Sequence, residues 1–125
     1  MVELATYFFD TYAFYEIIHG NKNYEEYKSE ITLITTKLNL MELHYILLRL
    51  YGKDKAEEAF EKFKVYCVEI EDTIIKEANE LKFKYRNRRL SYVDCIGYIL
   101  AKSRNVKFLT GDKGFEDLDN VEFVK

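Results

Sequence analysis

Short runs of consecutive apolar residues alternate along this chain with longer stretches whose apolar positions recur every three to four residues. The first pattern predicts strands buried on both faces, the second helices with one covered side. Residues 4–9, Leu-Ala-Thr-Tyr-Phe-Phe, read as a first strand, and residues 12–18 as a short helix ended by His19 and Gly20. A more polar helix is predicted over residues 23–30, and the β-branched stretch 31–35 as a second strand. From Asn39 the positions Leu40, Leu43, Ile46, Leu47 and Leu50 fall on one helical face that stops at Gly52. Residues 54–64 repeat the pattern with Ala56, Ala59, Phe60 and Phe63, and residues 66–70 read as a third strand. Helices over 72–86, with Ile75, Ala78, Leu81 and Tyr85 inward, and over 91–104 follow. Strands at 106–110 and 121–124 close the chain. Strands alternating with helices define an α/β fold: a three-layer α/β/α arrangement around a central parallel sheet of about five short strands. No repeat, linker or low-complexity segment interrupts it, so residues 1–125 are expected to form a single domain. In such sheets ligands bind beyond the carboxyl ends of the strands, and that edge is where chemistry is expected.

Composition narrows the setting. With 48% hydrophobic residues in 125, the chain can bury one core and is not disordered, and no run approaches the ~20 apolar residues of a membrane helix. The start Met1-Val2-Glu3-Leu4 lacks the basic region of a signal peptide, and two cysteines, Cys67 and Cys95, are too few for a disulfide scaffold. Both point to a cytoplasmic protein without a membrane partner. The net charge of −3 argues, as an average, against a nucleic-acid binder.

Four acids occupy the expected edge. Asp10 directly follows the first strand, and Asp112 follows Leu109-Thr110-Gly111. Glu42 and Asp94 lie in the first turns of two helices, where Asn39 with Glu42 and Ser91 with Asp94 match a capping-box spacing. Taken singly, each acid is explained as a helix cap or as a response to the helix dipole. Taken together, carboxylates converging on one sheet edge raise each other's pKa unless a cation lies between them. Oxygen ligands without His or Cys select Mg²⁺ or Mn²⁺ over zinc, and such ions serve phosphoryl chemistry.

The segments Phe9-Asp10-Thr11, Glu42 opening a helix, Leu90-Ser91-Tyr92-Val93-Asp94-Cys95-Ile96 and Phe108-Leu109-Thr110-Gly111-Asp112-Lys113-Gly114-Phe115 resemble the PIN domain family, most closely its small VapC-like toxins. The resemblance spans essentially the whole chain. It implies a Mg²⁺- or Mn²⁺-dependent endoribonuclease, the toxin of a type II toxin–antitoxin pair, cutting RNA to 3′-hydroxyl and 5′-phosphate ends. The implied metal and catalytic residues are Asp10, Glu42, Asp94 and Asp112. Thr110 stands at a hydroxyl position that would orient the fourth acid, and Glu116, Asp117 and Asp119 could assist or simply be solvated. The resemblance also implies a homodimer and a VapB-like antitoxin. Two departures fall beside the acids: Tyr12-Ala13 replaces a small polar-then-apolar pair, and Gly111 stands where a larger residue is common.

The average charge hides an asymmetry. Lys82, Lys84, Arg86, Arg88 and Arg89 fall within eight residues that contain no acid and lead into the helix of Asp94. Arg86, Arg88 and Arg89 are therefore candidate RNA contacts, with Tyr85 and Tyr92 available to stack on bases; the plain alternative is a solvated basic helix end. Tyr12, Phe14, Tyr15, Tyr24 and Tyr27 are candidates either for the core or for an antitoxin surface. His19, His44 and the two cysteines show no zinc spacing. Three rivals remain: a catalytically silent RNA- or protein-binding module of the same fold, a receiver-like signalling domain, and an Asp-nucleophile phosphatase. The receiver would need an acidic pair after strand one, and the phosphatase an Asp-x-Asp there, where Asp10-Thr11-Tyr12 stands.

Overall fold

The structure is a computed structural model that describes residues 4–125; the initial Met1-Val2-Glu3 lies outside the described residues. Four parallel strands, β1 (Ala5–Phe9), β2 (Ile31–Ile34), β3 (Lys107–Thr110) and β4 (Val121–Phe123), form one sheet in the order β2-β1-β3-β4. Helices α1 (Thr11–Ile18), α2 (Lys37–Tyr51) and α3 (Lys53–Phe63) cover one face, and α4 (Asp72–Lys84) and α5 (Tyr92–Ser103) the other. Neighbouring residues of one strand serve opposite layers. Phe8 and Phe108 pack with Ala78, Tyr98, Leu100 and Phe115, while Phe9 and Leu109 pack with Ala13, Phe14, Leu40, Leu43 and Leu47. That double burial is why β1 reads as an unbroken apolar run. Gly97 lets α5 lie flat on the sheet, since a Cβ there would stand 2.7 Å from the Phe8 ring.

The expected architecture holds with four strands rather than five. Residues 66–70 make no strand: a 3₁₀ turn over Lys64–Tyr66 leads into a single bridge between Thr35 and Cys67, and α4 begins at Asp72. The segment's apolar side chains Val68 and Ile70 still pack against the core, which is the signal that imitated a strand. The polar helix expected over 23–30 is a 3₁₀ helix, Lys22–Tyr27. Helix α2 starts earlier than the pattern suggests, because Thr36 and not Asn39 is its N-cap, accepting from the Asn39 amide at 3.2 Å. In α4 the inward face is Ile74 with Ala78, one residue out of phase with the expected Ile75, which is 43% exposed. Leu50 likewise faces solvent. Phe14, Tyr24 and Tyr27 are buried, so these aromatics belong to the core and not to a partner surface. Among the described residues no helix is long and apolar enough to cross a membrane.

Candidate functional site

The chain runs from β1 to β2 on one side and later places β3 on the other side of β1, so the sheet order reverses between β1 and β3. A crevice opens at such a reversal, at the carboxyl ends of the strands. Register pairs Phe9 with Leu109, which sets the next residues, Asp10 and Thr110, side by side at the mouth.

Each acid is held by its own local structure. Asp10 caps α1, its Oδ1 accepting from the Ala13 amide at 2.7 Å, and is only 1% exposed. Asp112 caps the 3₁₀ turn Lys113–Phe115, accepting from the Gly114 amide at 2.9 Å. Thr110 stands beside both: its buried hydroxyl accepts from the Asp112 amide at 3.0 Å and favours the charged form of the neighbouring Asp10. Asp94 lies in the first turn of α5, its amide donating to the Ser91 cap at 3.0 Å. Glu42 projects from α2, and the Thr11 hydroxyl donates to its Oε1 at 2.6 Å. Thr11 in turn accepts from Asn39 Nδ2 at 3.3 Å, and Asn39 is tied to Thr36 at 2.7 Å. Asp10 and Asp112 therefore are helix caps, as the plain reading has it, and a cap bond to one oxygen does not prevent either carboxylate from also lining a pocket. For Glu42 the proposed capping box with Asn39 does not form.

All four acids line one pocket of ≈ 550 Å³, together with Thr11, Tyr12, Ser91, Gly111, Lys113 and Lys125. Burial and mutual repulsion dominate its electrostatics. Burial pushes Asp10 well above the ordinary carboxylate range and Asp94 adds to this, while hydrogen bonds from Thr110 and Ala13 pull the other way. Asp94 is pushed up to about 7, first by burial and then by Asp112 and Glu42. Such a set favours a cation, and its donors are all hard oxygens. The residues fit Mg²⁺ or Mn²⁺. Among the described residues no three His, Cys, Asp or Glu side chains are grouped closely enough to hold a metal ion as they stand.

The remaining candidates stand elsewhere. Arg88 forks onto Asp117 at 2.6 and 3.0 Å and donates to the Gly114 oxygen at 3.2 Å. That tie buttresses the loop carrying Asp112, and both Arg88 and Asp117 lie outside the lining of the acidic pocket. Arg86 donates to the Phe83 oxygen at 3.0 Å and covers the Phe83 ring; Arg89 is exposed, with φ 57°. The two sequence departures share one cause. A Cβ on Gly111 would stand 2.2 Å from the Tyr12 ring, so Tyr12 occupies the space a larger residue would need. Thr11 and Asn39 as the support of Glu42, and Lys125 at the pocket, were not foreseen. A hydroxyl next to Asp10 was the one local hint of the first.

Comparison with known proteins places the fold. A family model described as PIN domain matches residues 7–121, and the chain belongs to that family. No curated protein matches the chain in sequence. Among solved structures it is similar to Mycobacterium tuberculosis VapC20, a sarcin–ricin loop cleaving toxin (17% identity, 95% of this chain and 99% of that one, TM-score 0.77). It is also similar to a chain of a Klebsiella pneumoniae toxin–antitoxin complex (17%, 92% and 94%, 0.73) and to one of Rickettsia felis VapBC2 bound to a promoter DNA fragment (17%, 96% and 99%, 0.70). At this identity the likeness is one of fold.

Proposed function

We propose that the chain is a Mg²⁺- or Mn²⁺-dependent endoribonuclease acting in the cytoplasm, the toxin of a type II toxin–antitoxin pair with a VapB-like antitoxin and a homodimeric form. The observation that carries this reading is the pocket at the β1/β3 reversal, to which four separate parts of the chain each bring one carboxylate. Membership of the PIN family and the toxin and toxin–antitoxin neighbours support it.

Asp10, Asp94 and Asp112 would hold the ion, and Glu42 would ligate it or orient the attacking water. When bound, such an ion lowers the pKa of a water and neutralises charge that develops on the phosphate. The chain's own contribution is placement. The Ala13 amide fixes the Asp10 side chain, and the Thr110 hydroxyl, next to Asp10 at the strand ends, holds the Asp112 backbone, so the two strand-end acids are each positioned by main-chain contacts. Thr11 takes one oxygen of Glu42 and leaves the second free to accept a proton from the water. Hydrolysis in line would leave a 3′-hydroxyl and a 5′-phosphate.

The test is to incubate the purified protein with single-stranded and structured RNA in Mg²⁺, Mn²⁺ or EDTA, beside Asp94→Asn. Metal-dependent cleavage lost in the variant is expected. Cleavage that survives both EDTA and the substitution would refute the metal site, and no cleavage of any RNA would favour a silent binding module.

A further inference from the structure

The acidic pocket is lined by two lysines, Lys113 and Lys125, that the four-carboxylate reading does not use, and Lys125 is the one whose ammonium has a defined seat. Lys125 lines the pocket beside Asp10, Glu42, Asp94 and Asp112. Among the described residues, none of the ion pairs involves it. Its ammonium instead donates to the Gly111 main-chain oxygen at 3.3 Å and lies 5.4 Å from the centre of the Tyr12 ring. An ammonium bound only by a carbonyl and an aromatic face keeps two donors free, because a Lys carries three.

This placement is built into the fold. The Val124 amide donates to the Thr110 oxygen at 2.9 Å, the Tyr24 hydroxyl to the Val124 oxygen at 2.5 Å, and Asn23 Nδ2 to the main-chain oxygen of Lys125 at 3.1 Å. The segment that carries the lysine is thus tied to Thr110, the strand-end residue beside Asp10 that holds the Asp112 amide. Gly111 completes the wall, since a Cβ there would meet Tyr12 at 2.2 Å and the Val124 oxygen at 2.7 Å. Glycine at this position lets the ring lie against the backbone and present its face to the ammonium.

We propose that Lys125, seated on Tyr12 and Gly111, is a substrate-binding residue that places its ammonium on a non-bridging oxygen of the RNA phosphodiester at the carboxylates. The chemistry follows from the pocket's composition. A phosphodiester brought to four carboxylates is repelled by them, and an unpaired cation on the wall offsets that repulsion where the phosphate must lie. The proposal rests on the nuclease reading and adds to it a contact to the substrate by a residue outside the quartet.

The experiment measures binding of a fluorescein-labelled single-stranded RNA by anisotropy across a NaCl series, in an Asp94→Asn background that keeps the RNA intact. Lys125→Met is expected to weaken binding roughly tenfold at low salt, as loss of a charge-assisted hydrogen bond does. It should also reduce the slope of log Kd against log salt by about 0.7, one phosphate contact on a single strand. Lys125→Arg keeps the slope, and Tyr12→Leu, which removes the seat, costs roughly threefold. An unchanged slope in Lys125→Met overturns the proposal. So does tighter Mn²⁺ binding by the single variant Lys125→Met, measured by calorimetry, with RNA binding unaltered, because that makes the lysine only a counter-ion of the acids. If the parent protein neither binds nor cuts RNA, the nuclease reading falls with it; if it cuts RNA and the slope is unchanged, the lysine assignment alone falls.

Discussion

The acidic pocket and the basic run at residues 82–89 are opposite kinds of charge cluster. The acids lie far apart in sequence and meet in one place, because a parallel sheet delivers every strand end, and the helix starts that face it, to the same edge. The basic residues are adjacent in sequence and disperse. Lys82 turns to the Leu90 main-chain oxygen and the Tyr92 ring, Arg86 to Phe83, and Arg88 to Asp117 and Gly114. A run of like charge along a chain says little about where the charges act, whereas recurrence of one residue type at equivalent ends of successive βα units says a good deal.

The energetic contrast is as large as the geometric one. Among the described residues none of the four acids forms an ion pair, although burial and their neighbours push Asp10 and Asp94 up, whereas the Arg88–Asp117 pair is formed and solvated. The largest expected effect follows from this. Burial and the neighbouring acids push Asp94 up to about 7 in the folded chain, against about 4 unfolded, so the folded state binds the extra proton between those values. Its contribution to stability is full below about pH 4 and is lost as pH rises towards 7, by at most about 4 kcal/mol. Urea unfolding of the metal-free protein from pH 4 to 8 should show this decline, and Asp94→Asn should make it shallower, the part that persists coming from buried Asp10. Equal pH profiles for the two proteins would break the picture of a strained acidic pocket.

A smaller effect is expected at the support of Glu42. Thr11→Val removes the hydroxyl that holds the carboxylate and leaves Asn39 Nδ2 without its acceptor. RNA cleavage should fall roughly tenfold in kcat with little change in KM, as for loss of a supporting partner. Stability should drop by about 1–3 kcal/mol from the orphaned amide. Full activity would show that Glu42 needs no fixed orientation.

The smallest effects sharpen the other side of the comparison. Arg88→Ala should cost at most ~1 kcal/mol in stability, because its partner is exposed, and should leave the salt slope of RNA binding unchanged. Arg86→Ala with Arg89→Ala should reduce that slope if the run tracks the RNA backbone at all. An unchanged slope in the double variant removes the basic run from the binding surface.

The fold was legible where periodicity and burial agree, as in β1 and β3, whose apolar runs are covered on both faces. It was illegible at residues 66–70, where apolar side chains reach the core from an extended segment that makes one bridge and no ladder. Asp10, Asp94 and Asp112 could be placed because each follows a strand or a cap signal. Tyr12 and Gly111, two separate anomalies in the sequence, form a single contact across 99 residues, and Lys125 joins them from the far end of the chain. Local spacing carries no trace of such pairs.

The central claim is that the four carboxylates act as one site. It is tested most directly by the single-turnover rate of Mn²⁺-dependent RNA cleavage in Asp10→Asn, Asp94→Asn and the double variant. Each single substitution should cost ~10³-fold, and the double variant should lose no more than either alone, because members of one site fail as a unit. Losses that multiply in the double variant, or single variants that cut RNA at the parent rate, would contradict the account.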